Sequence, residues 1–78
     1  MSYIKLARKV EAVAEYLDIP IERIQIGVYD TAQYFLDPVI EMSDEQVSHL
    51  SSFLDALAFD ESWDGTPTHN KYFVFYDE

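Results

Sequence analysis

The side chains best equipped for chemistry in this 78-residue chain are carboxylates: fifteen Asp and Glu stand against five Lys and Arg, for a net charge of −10. In pairs they could do acid–base work, in rings they could hold a cation, and spread over a surface they could imitate a polyphosphate. Adjacent pairs occur at Asp44-Glu45 and Asp60-Glu61. Acid–base catalysis needs such a pair in a cleft, and a chain this short buries too little surface to build one readily. The run Asp60-Glu61-Ser62-Trp63-Asp64-Gly65 has the opening of a calcium loop, with oxygen ligands at alternate positions and glycine sixth. Its twelfth position, where a bidentate glutamate is needed, is Lys71. A turn held by local Asx hydrogen bonds, with Trp63 closing over the core, is the expectation instead.

Other catalytic inventories are thin. There is no cysteine, which removes thiol nucleophiles, thiolate metal sites and disulfides together. The two histidines, His49 in an expected helix and His69 in an expected loop, lack H-x-x-H or H-E-x-x-H spacing. Ser48, Ser51 and Ser52 sit in helical context without G-x-S-x-G. No enzyme, cofactor or metal is expected.

The carboxylates are unevenly placed. Lys5, Arg8 and Lys9 fall in the first nine positions, which leaves Arg23 and Lys71 against fifteen carboxylates in residues 10–78, a net of −13. Between Ile24 and Asn70 there is no Lys or Arg, yet Asp30, Asp37, Glu41, Asp44, Glu45, Asp55, Asp60, Glu61 and Asp64 all lie there. Direct binding to nucleic acid needs positive charge facing phosphates and is excluded on this balance. The first ten residues hold no uninterrupted apolar run, and no stretch reaches the roughly 18 apolar residues of a membrane span, so the expected location is cytoplasmic.

The elements that must position these residues are legible from periodicity. Ser2 caps an expected helix to about Leu17, with Tyr3, Leu6, Val10, Val13 or Ala14, and Leu17 on one face, stopped by Asp18 and Pro20. Val13 to Pro20 resembles the first helix and turn of helix-turn-helix proteins. The segment that follows alternates like a strand and lacks the cations a recognition helix would need. In Arg23 to Tyr29, Ile24, Ile26 and Val28 share one side. A turn at residues 29–32 leads to a second strand from Gln33 towards Met42, where Pro38 points to an edge or a bulge. Ser43 and Gln46 form a capping box for a second helix to Phe59, with Val47, Leu50, Phe53, Leu54 and Leu57 inward. Asp60 to Asn70 reads as loop, and Lys71 to Asp77 as a strand with Phe73 and Phe75 on one side and Tyr72, Val74 and Tyr76 on the other. The predicted fold is a single α+β domain over residues 1–78, ordered α-β-β-α-β, with a three-stranded, mainly antiparallel sheet and two helices on one face.

Acidity with exposed aromatics points to protein binding. The expected contact carboxylates are Asp30, Asp37, Glu41, Asp44, Glu45, Asp55, Asp60, Glu61 and Asp64. Tyr34 and Trp63, along with Tyr29, Tyr72 and Tyr76, are expected as anchors. In size, acidity, absence of cysteine and short α+β layout, the chain resembles the class of small phage-encoded acidic inhibitors, including anti-CRISPR and anti-restriction DNA mimics; no motif carries the likeness. The resemblance implies a protein of the host-cell cytoplasm that blocks DNA or RNA access by occupying a basic nucleic-acid-binding protein or complex. Nuclease immunity proteins and antitoxins are similar on the same grounds. The other expectation is a non-catalytic accessory domain, self-associating as a homodimer through the open sheet face or the C-terminal strand.

Overall fold

Apolar spacing in the first fifteen helical residues buries Leu6, Val10, Val13 and Ala14 along one stripe, and this stripe makes Tyr3–Leu17 (α1) an amphipathic helix. The computed structural model describes residues 3–30, 33–61 and 67–76; the side chains of residues 3, 4, 29, 30, 61 and 67–70 fall outside that description, as does the expected cap Ser2. α1 ends where Asp18 takes a left-handed conformation at φ 55°, which lets the Ile19 N–H reach the Ala14 carbonyl at 3.0 Å. Pro20 then leads into one 3-10 turn, Ile21–Arg23.

Two strands follow, Gln25–Asp30 (β1) and Gln33–Asp37 (β2), paired antiparallel with Ile26 opposite Leu36 and Val28 opposite Tyr34. β2 stops before Pro38, which cannot donate to a ladder. It is not the edge strand that the proline suggested, because β2 lies inside the sheet and the proline sits just past its end. The chain bends there on Val39, which has φ 54° and donates its N–H to Asp37 Oδ1 at 2.8 Å.

The second helix, Asp44–Leu54 (α2), begins with the expected capping box: Gln46 N–H donates to Ser43 Oγ at 3.2 Å, and Ser43 N–H donates to Gln46 Oε1 at 2.9 Å. It is shorter than its apolar spacing predicts. Asp55 turns left-handed at φ 51° and the Ala56 N–H closes on Ser51 O at 2.9 Å, so Leu57 and Phe59 leave the helix. Leu57–Glu61 is a strand (β3), and Pro67–Tyr76 (β4) is longer than expected, so residues 60, 61 and 67–70 of the predicted loop are strand, His69 among them. A short apolar run fits helical and alternating periods equally well, and the left-handed aspartate decides between them.

The sheet therefore has four strands, in the order β1-β2-β4-β3, with every neighbouring pair antiparallel. The fold is α+β. Tyr34 and Leu36 of β2 lie opposite Phe75 and Phe73 of β4, and this face meets Leu6, Val10, Val13 and Ala14 of α1 and Leu50 and Leu54 of α2 in one cluster. Both helices thus cover the same face, and each fully buried Leu or Phe there contributes about 2 kcal/mol. β4 is hydrogen-bonded on both sides. Its backbone is not free, which corrects the expectation that the C-terminal strand could pair with another chain.

Candidate protein-binding surface

The carboxylates singled out from sequence separate into three kinds of position. Glu41, Asp44, Glu45 and Asp55 are exposed on α2 and its flanks, and among the described residues none of them forms an ion pair. Asp44 and Glu45 occupy the first helical turn, where the helix dipole favours negative charge, whereas Asp55 stands past the other end, where it does not. Asp37 and Asp60 have internal work. Asp37 is half-buried and holds the Val39 N–H. Asp60, on β3, faces Lys71 Nζ on β4 at 3.5 Å, which corrects the reading that it lacks a basic neighbour: the hairpin brings together residues eleven apart in sequence. The same pairing places the two ends of the expected loop on facing strands. Asp30 and Glu61 close β1 and β3, and Asp64 and Trp63 lie outside the described residues.

Tyr34 is a correction. It is 4% exposed and packs against Phe75 with ring centroids 6.3 Å apart, so it belongs to the core rather than to a surface. Its position on β2 alternates with Phe35, and the helices cover Tyr34's face. Tyr72 is likewise buried, stacked on Phe59 at 5.4 Å. Tyr76 is exposed and accepts a hydrogen bond from Gln33 Nε2 at 2.8 Å.

The aromatic groups that stand among the α2 carboxylates are ones the sequence reading assigned elsewhere. Phe53, read as core, is 47% exposed, because Leu50 and Leu54 take the inward positions and their neighbour must point away. Glu45, His49 and Phe53 follow at four-residue spacing on one side of α2. His49 is stacked on the exposed ring of Tyr16 from α1, centroids 4.2 Å apart and planes 19° apart. The adjacent pair Phe53-Leu54 was the available signal, since two large neighbours about 100° apart on a helix cannot both point to the centre of its buried stripe.

The result is a strip of three aromatic rings with Glu45 in line with it, on a helix that carries Glu41 and Asp44 at its start and Asp55 at its end, all four exposed and none in an ion pair among the described residues. Such a surface can attract a cationic partner and anchor it by ring burial. Among the described residues, no three His, Asp or Glu side chains are grouped to hold a metal ion, and no helix is long and apolar enough to cross a membrane. No protein family, curated protein or solved structure matches this chain.

Proposed function

We propose that this protein is a non-catalytic acidic inhibitor whose α2 surface occupies the basic nucleic-acid-binding face of another protein, a DNA mimic of the anti-CRISPR kind. The observation that carries this reading is the set Glu41, Asp44, Glu45 and Asp55, exposed, without ion pairs among the described residues, and placed at the two ends of the helix that presents His49 and Phe53. Eleven helical residues span about 16 Å, so α2 holds negative charge at both ends of a rigid rod with an apolar anchor between them. Long-range attraction would come from the carboxylates and would weaken as salt rises, because the Debye length falls to about 8 Å at physiological ionic strength. Short-range grip would come from the rings. The partner class is a basic nuclease or defence complex, since a groove built for phosphates presents the complementary field.

The test is competition. The protein should displace labelled duplex DNA from a basic nucleic-acid-binding partner with fixed stoichiometry, and less effectively at high salt. Neutralising the four carboxylates (Glu41→Gln, Asp44→Asn, Glu45→Gln and Asp55→Asn) should slow association on the order of tenfold or more. Phe53→Ala should speed dissociation and cost about 2 kcal/mol. Displacement that survives the fourfold neutralisation at low salt excludes this surface as the mimic.

A further inference from the structure

We propose that the protein forms a two-fold dimer by antiparallel pairing of β1 with β1 of a second copy. β1 is one of the two outer strands, bonded to β2 alone. From Gln25 to Tyr29 it carries no charge, and so has none of the charged residues with which sheets commonly blunt an open edge. The helix-side residues of β1 are left uncovered: Ile26 is 43% and Val28 67% exposed, although their neighbours Leu36 and Tyr34 on β2 are buried. Beside them runs an apolar groove of about 380 Å³ lined by Leu6, Ala7, Val10, Glu11, Ile21 and Ile26.

The chemistry of this edge selects a second copy as its occupant. The sequence Gln25-Ile26-Gly27-Val28-Tyr29 is nearly symmetric about Gly27, with a β-branched aliphatic on each side. A two-fold axis through paired Gly27 residues sets Ile26 opposite the partner's Val28 on the helix side. Only the antiparallel arrangement pairs each Ile26 with a Val28 about a two-fold axis. The bulge in the β1–β2 register follows Val28, outside the aliphatic pair.

Charge also argues against the alternatives. Residues 3–30 hold four basic residues and five carboxylates, while residues 31–78 hold one and ten. Joining two copies at β1 sets the near-neutral parts together and the acidic parts outward. Pairing through the other edge would bring the acidic end of β3, with Asp60 and Glu61, into the seam. Six residues give a seam of about 20 Å. Such a contact is small beside the roughly 1,000 Å² of a specific interface, so the equilibrium should respond to concentration in the micromolar-to-millimolar range.

Sedimentation velocity of the whole chain over that range tests the pairing. The expected result is a reversible monomer–dimer equilibrium. Val28→Lys should weaken it at least about tenfold, since like charges then sit within one residue pair of each other across the axis. Val28 is largely exposed, so the melting temperature should hold. A chain that stays monomeric throughout overturns the proposal. So does a dimer that ignores Val28→Lys but is lost in Phe59→Lys. None of these outcomes bears on DNA displacement through α2, so this inference and the proposed function can fail separately.

Discussion

β4 and β1 belong to one sheet and are built on opposite terms. In β4 the four consecutive residues Tyr72, Phe73, Val74 and Phe75 are all buried, because the strand has partners on both sides, helices over one face and Phe59 stacked on the other. At β1 the alternation of Ile24, Ile26 and Val28 is just as regular, but only Ile24, which precedes the strand, is buried. Position in the strand order, rather than apolar content, decides which residues hold the fold together. The difference teaches that stability is concentrated at the β2–β4 centre, while β1 keeps apolar surface that the fold does not need for itself.

The sharpest test substitutes alanine in each strand. Phe73→Ala, at a site with no exposure, should cost about 3–5 kcal/mol, a large share of what a domain this size possesses. Val28→Ala should stay within about 0.5 kcal/mol when measured in dilute solution. Chemical denaturation with both variants measures the contrast, and comparable losses would show that β1 is packed after all.

The same contrast explains what could be read from the sequence. Phe73 and Phe75 opposite Tyr72 and Val74, the α1 stripe, and the Ser43–Gln46 capping box depend on local spacing and local hydrogen bonds, and each was legible. β3 was not, since Leu57 continues the helical stripe of Val47, Leu50 and Leu54, and only the left-handed Asp55 breaks it. Strand order is non-local, so neither the burial of Tyr34 nor the exposure of Ile26 and Val28 follows from their alternation. At the candidate site, the α2 carboxylates were found by the absence of nearby cations. Asp60 was misread for the same reason, because its cation arrives from the neighbouring strand. Phe53 was missed because an apolar residue on an amphipathic helix defaults to the core.

A smaller effect is expected at the bend that ends β2. Val39 holds a positive φ that suits glycine or asparagine and crowds a β-branched side chain. Val39→Gly should stabilise the protein by about 1 kcal/mol, less whatever its half-buried side chain contributes. Asp37→Ala removes the acceptor for the Val39 N–H and should cost about 1 kcal/mol. Opposite signs at neighbouring positions would locate the strain in the backbone. Two losses would mean that the Val39 side chain outweighs it.

The finest comparison uses the helix ends as matched probes of charge. Asp18 and Asp55 sit at equivalent places, each left-handed just past its helix and each at the end of a dipole that disfavours a carboxylate. Neutralising either to Asn should therefore raise stability by about 0.3–1 kcal/mol, whereas Asp44→Asn in the first turn of α2 should lower it by a similar amount. The surroundings differ: Asp18 belongs to residues 3–30, with four cations, and Asp55 to residues 31–78, with one. Repulsion within the acidic part adds to the gain at Asp55 and hardly at all at Asp18. The excess should shrink in about 1 M salt, where the Debye length is near 3 Å. Thermal melts of both variants at low and high salt measure it. Equal gains at every salt concentration would mean that the caps alone set these energies and that the carboxylates around α2 are too well solvated to feel one another.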